Sequence, residues 1–206
     1  MDVKNIQFTP LELKIAKYLF KHYTEKYNGR QMARALDVNH AHVNLLCRGL
    51  VKKMLLQKED LGNSVYFTFN YGNTLAKEFM KYVLSLEEQE FPAWLIVVLH
   101  NLKKFEKYIS FGLVFGSSVK TSQFADVDVL LVYDLKWVKD VLKVKEEIRR
   151  SRIVEKPIRY VDLIEKDIYG GKNEPVMYGM LSNNLLFYGA QNYVEVIKKC
   201  HKLKSI

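Results

Sequence analysis

The residues best suited to chemistry are two aspartates in an apolar run. Asp126 and Asp128 lie two positions apart in DVDVLLV, which has the length and composition of a buried strand. Alternate residues of a strand point to the same face, so the two carboxylates are expected to lie side by side at one end of it. Carboxylates are suitable ligands for Mg²⁺ or Mn²⁺, which they share with substrate phosphates. The pair therefore predicts a metal site.

A third carboxylate on a neighbouring strand would complete this site or bridge two ions. Asp162, in the run IRYVDLI, is the candidate. It is preferred to Glu165 and Asp167 because it lies inside the apolar run, whereas they fall at its end. We therefore expect Asp162 to join Asp126 and Asp128 as a metal ligand.

A candidate phosphate-binding turn precedes the aspartates, where the apolar strand GLVF runs into GSSVK. Gly116 allows close approach of the backbone, and the hydroxyl and N–H groups of Ser117 and Ser118 could bind phosphate oxygens. A helix opening from this turn would add the favourable end of its dipole. Phosphate and metal are then expected to converge on one pocket.

The run FGSSVKTSQFADVDVLLV resembles the signature of the nucleotidyltransferase-fold superfamily, in particular the minimal nucleotidyltransferases of prokaryotes. In that signature Gly-Ser, a short helix and D-x-D precede a third acidic residue on a later strand. The resemblance covers about residues 95 to 195. It implies Gly116 and Ser117 as the phosphate-binding turn and Asp126, Asp128 and Asp162 as the catalytic, metal-binding triad. The implied reaction is attack of an acceptor hydroxyl on the α-phosphate of a nucleoside triphosphate, with Mg²⁺ stabilising the charge and pyrophosphate leaving.

The chain departs from that family pattern in two places. Only eight residues separate Ser117 from Asp126, fewer than such domains usually carry, and Val119-Lys120-Thr121 replaces the usual basic residue and glycine. These departures bear on catalysis more than on the fold. Lys120 is the candidate to replace the missing basic residue and contact the triphosphate.

The elements that must position these residues alternate between strands and helices, which predicts an α/β domain with a small mixed sheet flanked by helices. Helices are predicted at residues 93–108, 139–151, 173–189 and 192–202, and strands at 109–115, 126–132 and 158–164.

The N-terminal part has a different pattern. Thr9 and Pro10 begin an amphipathic helix over residues 9–23, and two further helices over 30–38 and 41–56 flank a tight turn. Alternating residues on either side of Leu61-Gly62-Asn63 predict a β-hairpin. The order of a helix, a helix-turn-helix and a hairpin resembles the winged-helix family of DNA-binding domains, over roughly residues 9 to 70.

One more helix is predicted over residues 74–90, and Phe91-Pro92 breaks it. We place the domain boundary near Pro92. The predicted class is α+β with two domains: residues 1–90 as a winged helix of three helices with a hairpin wing, and residues 91–206 as a nucleotidyltransferase-like domain.

Polar side chains of the helix-turn-helix could contact duplex DNA, because Asn and Arg can bind the adenine and guanine edges of the major groove. The alternatives are a solvated helix face or a protein-contact module. His40 and His42 are two apart and turn to different faces of a helix, which argues against a paired metal site. The candidate DNA-binding residues are Arg30, Asn39, His40, His42, Asn44, Arg48, Lys52 and Lys53.

The net charge of +9 suggests an acidic partner. Residues 1–58 hold 11 basic and 4 acidic residues, residues 59–90 hold 2 and 6, and residues 91–206 hold the remaining 19 and 13. The N-terminal segment and the second half are therefore both basic, and the segment between them is acidic. The chain has no long apolar run and its start lacks the features of a signal peptide, so we expect no membrane partner and a cytoplasmic location. Cys47 and Cys200 lack metal or redox spacing and are expected to be packed free thiols.

Three functions follow as hypotheses. The first is a Mg²⁺-dependent nucleotidyltransferase that uses a nucleoside triphosphate and is brought to DNA, or to an RNA or protein acceptor. The second is a DNA-binding regulator whose second domain senses a nucleotide or holds a partner without turnover. The third is the antitoxin-like half of a toxin pair, which would modify its partner by adenylylation. Whether two copies form a homodimer is left open.

Overall fold

The computed structural model describes residues 7–151, 156–171 and 174–202. The chain is a mixed α+β protein, as predicted. It divides into two compact units, Met1–Val83 with His201–Ile206 and Leu84–Cys200. The predicted boundary near Pro92 thus lies a few residues beyond the division at Val83.

The first unit begins with three helices whose starts are fixed by side-chain caps. In the capping box at Thr9, the Glu12 N–H donates to the Thr9 hydroxyl and the Thr9 N–H donates to the Glu12 carboxylate. Asn28 forms a capping box with Gln31 at the second helix, and the Asn39 side chain caps the third by accepting two backbone N–H groups. The helices are α1 (Pro10–Lys21), α2 (Gly29–Leu36) and α3 (His40–Lys52), and the helix α4 (Thr74–Ser85) follows the sheet described next.

A three-stranded antiparallel sheet completes this unit, in the order β1-β3-β2. The predicted hairpin is present, with Leu61 opposite Ser64 across the turn. The two-residue strand β1 was not predicted. The strands are β1 (Tyr27–Asn28), β2 (Leu56–Leu61) and β3 (Ser64–Phe69).

The core of the first unit forms where the apolar faces of α1 and α3 meet the inner face of β3. Phe20 packs edge-to-face on Phe69, with ring centroids 5.2 Å apart. Cys47 is a buried free thiol, and burial raises its pKa to about 12. Cys200, in the second unit, is also a buried free thiol, so the prediction of packed thiols is confirmed.

The second unit is built on a four-stranded mixed sheet in the order β6-β5-β4-β7, in which β5 and β6 are parallel and the other pairs are antiparallel. The strands are β4 (Phe111–Phe115), β5 (Val127–Val132), β6 (Ile158–Leu163) and β7 (Asn184–Tyr188). The helices are α5 (Ala93–Leu102), α6 (Val138–Ser151), α7 (Glu165–Gly171), α8 (Pro175–Ser182) and α9 (Ala190–Lys202).

One face of this sheet is covered by α5 and α6. Val127, Val129 and Leu131 of β5 point to this face and belong to the same buried cluster as Leu95 of α5 and Val144 of α6. Because side chains alternate along a strand, Asp128 and Leu130 of β5 lie on the opposite face of the sheet.

Several predicted helices were wrong in part. The helix predicted over residues 93–108 ends at Leu102 and is followed by a 3₁₀ turn, and the one predicted over residues 41–56 ends at Lys52, before β2 begins at Leu56. The helix predicted over residues 173–189 ends at Ser182, and residues 184–188 form β7 on the edge of β4. Tertiary packing decides this, because Gly112 of β4 leaves space that the Phe187 ring fills. The helix predicted over residues 74–90 ends at Ser85 and is followed by a 3₁₀ turn.

In the part of the chain that the structure describes, no helix is both long and apolar enough to cross a membrane.

Candidate functional sites

The carboxylate pair lies at the start of β5. Asp126 directly precedes the strand and Asp128 is its second residue, so their side chains point to the same side. Asp128 is in register with Phe115, the last residue of β4. The turn that follows β4 therefore begins beside the pair, and the structure brings together the predicted turn and the two predicted metal ligands.

Gly116 is required where this turn meets Asp128. Its φ of +81° lies in the left-handed region, which residues with a side chain rarely adopt. A Cβ atom at Gly116 would also lie 2.3 Å from Oδ2 of Asp128, far inside van der Waals contact. The absence of a side chain thus lets the turn backbone lie against the carboxylate.

The other predicted phosphate-binding residues differ in what they can contribute. The predicted short helix is only a 3₁₀ turn, Gly116–Val119, so it supplies no extended helix dipole. Ser118 is buried and its hydroxyl donates to the Phe115 carbonyl at 3.2 Å, which makes it part of the turn rather than a phosphate ligand. Ser117 and Lys120 are exposed.

Arg159, which the sequence analysis did not select, is the cation at this site. It is the register partner of Asp128 across the parallel pair of β5 and β6, so it faces the same side of the sheet. Its Nε forms an ion pair with Oδ2 of Asp126, at 2.9 Å. The side chain of Asp126 is 13% exposed and that of Arg159 is 72% exposed.

The pKa of Asp128 depends on its burial and on the charges of Asp126 and Arg159. Burial raises the pKa of Asp128, and the negative charge of Asp126 raises it further, while the charge of Arg159 acts in the opposite direction. Two adjacent carboxylates are therefore incompletely compensated by one arginine. Such a site favours an additional cation.

Asp162 is not part of this site. It is in register with Leu131, three positions further along the strand than Arg159, and therefore about 10 Å away along the strand direction. An offset of three residues also turns its side chain to the opposite face of the sheet. The predicted triad is thus corrected to a pair of aspartates. The side chain of Asp162 lies on the other face of the sheet from Asp128.

Asp162 instead forms an ion pair with Lys145 of α6, at 2.7 and 2.5 Å from its two carboxylate oxygens. Burial, together with the charge and hydrogen bond of Asp162, raises the pKa of Tyr133 to about 12. The Lys145 ammonium also lies 4.8 Å from the centre of the Tyr160 ring. These contacts give Asp162 a role in attaching α6 to the sheet.

The number of side chains that could coordinate a metal ion limits the kind of metal site that is possible here. Among the described residues, no group of three or more His, Cys, Asp or Glu side chains is placed to hold a metal ion. The pair of Asp126 and Asp128 still fits one Mg²⁺ ion, which commonly takes one or two carboxylates together with phosphate oxygens. It does not fit a site with three carboxylates and two ions.

In the first unit, four of the predicted DNA-binding residues line one cavity of about 510 Å³: Arg30, His40, Asn44 and Arg48. The hairpin turn at residues 63–65 forms another part of its wall. Within the described part of the chain, Oδ1 of Asn44 is buried without a hydrogen-bond partner. The cavity therefore combines the positive charge of two arginines with polar side chains.

A neighbouring depression adds a residue that the sequence analysis did not select. Arg34 is exposed on α2 and lines this depression together with Arg30 and His40. The signal was available in the sequence, since Arg34 lies one helical turn after Arg30. The basic surface around the cavity is therefore wider than predicted.

The remaining predicted DNA-binding residues lie elsewhere. Oδ1 of Asn39 accepts the N–H groups of Ala41 and His42 as the cap of α3, so this side chain is occupied at the helix start. His42 and Lys52 are exposed on α3 but do not line the cavity.

Lys53 contributes to the packing of the first unit. Its ammonium donates to Oε1 of Glu12 at 2.7 Å and to the carbonyl of Gln7 at 3.0 Å, and it lies 4.5 Å from the centre of the Phe8 ring. Because Glu12 is buried, removal of Lys53 would leave its carboxylate without a charged partner. The structure therefore gives Lys53 a structural role in place of the predicted DNA contact.

Replacing Lys53 with Met is expected to lower the free energy of unfolding at neutral pH by about 1–3 kcal/mol, because the Glu12 carboxylate loses its charged partner. DNA affinity, measured where both proteins are folded, should change less than about twofold. Urea unfolding and fluorescence anisotropy measure the two effects. A large loss of DNA affinity with unchanged stability would contradict the structural role.

The same ion pair predicts a pH dependence. Burial alone would raise the pKa of Glu12, but the bonds from Lys53 and Thr9 outweigh it and lower the pKa below its ordinary value of 4.5. A lowered pKa stabilises the fold above pH 4.5, and this stabilisation is lost as the pH falls through the folded-state pKa. The stability difference between wild type and Lys53→Met should therefore shrink below pH 4.5.

No family model matches this chain, and no match was found among curated proteins or among solved structures.

Proposed function

We propose that this protein is a DNA-binding regulator whose second unit binds a nucleoside triphosphate with Mg²⁺ and does not transfer it. The proposal rests on which residues of β6 lie beside Asp128. The residues of β6 on that face are Arg159, Val161 and Leu163, so β6 supplies no third carboxylate to the pair.

Element order supports this interpretation of both units. In the first unit, α1, α2, α3 and the β2–β3 hairpin follow one another in the order of a winged helix. In the second, β4 leads through the glycine turn into β5, and β6 pairs with β5, in the order expected of a nucleotidyltransferase fold. We propose these two folds for the two units.

The pair and the glycine turn form the proposed nucleotide site. Asp126 and Asp128 would hold Mg²⁺, which would neutralise the triphosphate oxygens that these carboxylates otherwise repel. Gly116 lets the phosphates approach the turn backbone closely, and Ser117 and Lys120 are exposed beside it.

Nucleotidyl transfer requires more than this site supplies. A carboxylate near the attacking hydroxyl would accept its proton or hold a second ion. Arg159 stands at the position nearest to Asp128 on β6, and an arginine remains protonated and cannot act as a base. We therefore favour binding without turnover.

A second candidate function is nucleotidyl transfer to a DNA, RNA or protein acceptor, including a toxin partner. It is favoured by one observation, the presence of the carboxylate pair against Gly116. An acceptor could bring the missing base itself. The two candidate functions differ in whether the bound nucleotide stays intact or is transferred to an acceptor.

The cavity lined by Arg30, His40, Asn44 and Arg48 is the proposed DNA contact. Arginine can donate two hydrogen bonds to guanine or contact phosphates, and Arg30 and Arg48 both line this cavity. A response of DNA affinity to Mg²⁺ and nucleotide would identify the regulatory function.

Calorimetry with each nucleoside triphosphate tests the nucleotide site. We expect binding in Mg²⁺ that falls by at least about tenfold in EDTA, because the carboxylates repel an uncompensated triphosphate. A similar fall is expected in Asp128→Asn, because the metal ion loses one of its charged ligands. Asp162→Asn is the matched control and should bind nucleotide like wild type. Equal affinity in EDTA, or a loss confined to Asp162→Asn, would overturn the site.

A further inference from the structure

We infer that Arg159 is a built-in cation of the carboxylate pair, which occupies the place of the metal ion in the free protein and moves to the phosphates when nucleotide binds. This inference deepens the proposed nucleotide site and rests on it. It assigns Arg159 two partners in turn, Asp126 and the triphosphate.

The geometry gives Arg159 the first partner. Its Nε lies 2.9 Å from Oδ2 of Asp126, and its position in the strand register is beside Asp128. A guanidinium there interacts with both carboxylates and reduces their repulsion, which is also what a bound metal ion would do. Arginine and metal would thus compete for the same oxygens.

Exposure shows which member of the ion pair can move. The Asp126 side chain is 13% exposed and is held at the start of β5, whereas that of Arg159 is 72% exposed. The solvated arginine can change partner by rotating its own side chain, whereas the largely buried Asp126 carboxylate that it leaves then requires another cation. Release of Asp126 by Arg159 therefore needs no change in the sheet.

The chemistry of the guanidinium supplies the second partner. Its donors form a rigid planar fork that matches phosphate oxygens in a bidentate arrangement, and the contact with Asp126 uses the Nε donor. Arg159 belongs to the strand beside the pair, so phosphates held at Asp126 and Asp128 lie within reach of its side chain. In this role Arg159 is a nucleotide-binding residue.

Two consequences follow from this exchange of partners. Metal alone should bind weakly, because it has to displace Arg159 without giving it a new partner. Metal and nucleotide should bind cooperatively, because the triphosphate receives the displaced guanidinium. Removing Arg159 should therefore strengthen metal binding and weaken nucleotide binding.

The test uses Mn²⁺ alone, with bound and free ion distinguished by electron paramagnetic resonance. We expect Arg159→Gln to bind Mn²⁺ about tenfold more tightly than wild type, because the competing charge is gone. Arg159→Lys should stay near wild type, since it keeps a charge. Arg150→Gln, an exposed residue of α6 with the same change in net charge, is the matched control and should leave Mn²⁺ affinity within about twofold.

The second arm measures nucleotide binding to the same variants at saturating Mn²⁺, with circular dichroism to verify folding. We expect Arg159→Gln to bind nucleoside triphosphate about tenfold more weakly. Unchanged or weaker Mn²⁺ affinity in Arg159→Gln would overturn the inference. If Arg159→Gln gains Mn²⁺ affinity but no protein binds nucleotide, the competition is established while the phosphate role and the proposed function both fail.

Discussion

Replacing both Arg30 and Arg48 with alanine is expected to reduce duplex DNA affinity by about 100-fold or more at low salt. The two arginines line the same cavity beside the hairpin turn. A base or phosphate contact by arginine contributes about 1–3 kcal/mol, so loss of two such contacts removes most of the specific affinity. Fluorescence anisotropy of the full chain on a set of duplexes measures the change.

The control for this variant removes two positive charges away from the cavity. Lys14 and Lys58 are exposed and do not line it, so their replacement with alanine tests the general effect of charge. We expect a much smaller loss of affinity for this control. Equal losses in the two variants would show non-specific attraction, and no loss in either would leave the first unit as a protein-contact module.

Substitution of Gly116 with valine is expected to abolish nucleotide binding, with a decrease of about 100-fold or more. The new Cβ would lie 2.3 Å from Oδ2 of Asp128, and the backbone would have to keep a φ of +81°. Loss of a group that orients a metal ligand typically lowers metal affinity by about 10- to 100-fold. Closure of the turn against the phosphates would add to the loss. Stability should fall by roughly 1–3 kcal/mol.

Calorimetry with Mg²⁺ and nucleotide, at a temperature where circular dichroism shows a folded protein, measures this effect. Gly179→Ala is the control, because a Cβ atom at Gly179 of α8 would meet no atom within 4 Å. It should bind nucleotide like wild type. Wild-type binding by Gly116→Val would exclude the turn from the site.

The features that local sequence determines were predicted well. Thr9, predicted as a capping residue, bonds the backbone N–H group of Glu12 within the first turn, so the start of α1 follows from the local sequence. The cap made by Asn39, which was predicted as a DNA contact, was missed although it is equally local. The hairpin turn at Gly62 follows from the same kind of local chemistry. Gly116 and the pair of Asp126 and Asp128 are also close in sequence, and the structure brings them together.

The register of β6 could not be predicted, and this is why Asp162 was selected in place of Arg159. Apolar residues occur at Ile158, Tyr160, Val161 and Leu163, on both faces of the strand, so their pattern does not specify which face meets the pair. Which residues of β6 face the carboxylate pair is set by its pairing with β5, a strand some 30 residues earlier in the chain.

Two other differences have the same non-local origin. The apolar run in residues 184–188 is compatible with a helix or a strand, and the free edge of β4 together with the space above Gly112 decides for a strand. Lys53 is one of several basic residues near the end of α3, and only its distance from Glu12 in space, 41 residues away in the chain, distinguishes it from a DNA contact.

In the proposed function, the second unit binds nucleotide with Mg²⁺ and leaves it intact. The decisive experiment incubates the full chain with each nucleoside triphosphate, labelled on the α-phosphate or the γ-phosphate, with and without duplex DNA. Wild type should retain both labels as intact triphosphate that EDTA releases, and Asp126→Asn and Asp128→Asn should retain neither. Release of labelled pyrophosphate, with the α-label transferred to protein or nucleic acid and lost in Asp128→Asn, would contradict the claim and establish a nucleotidyltransferase.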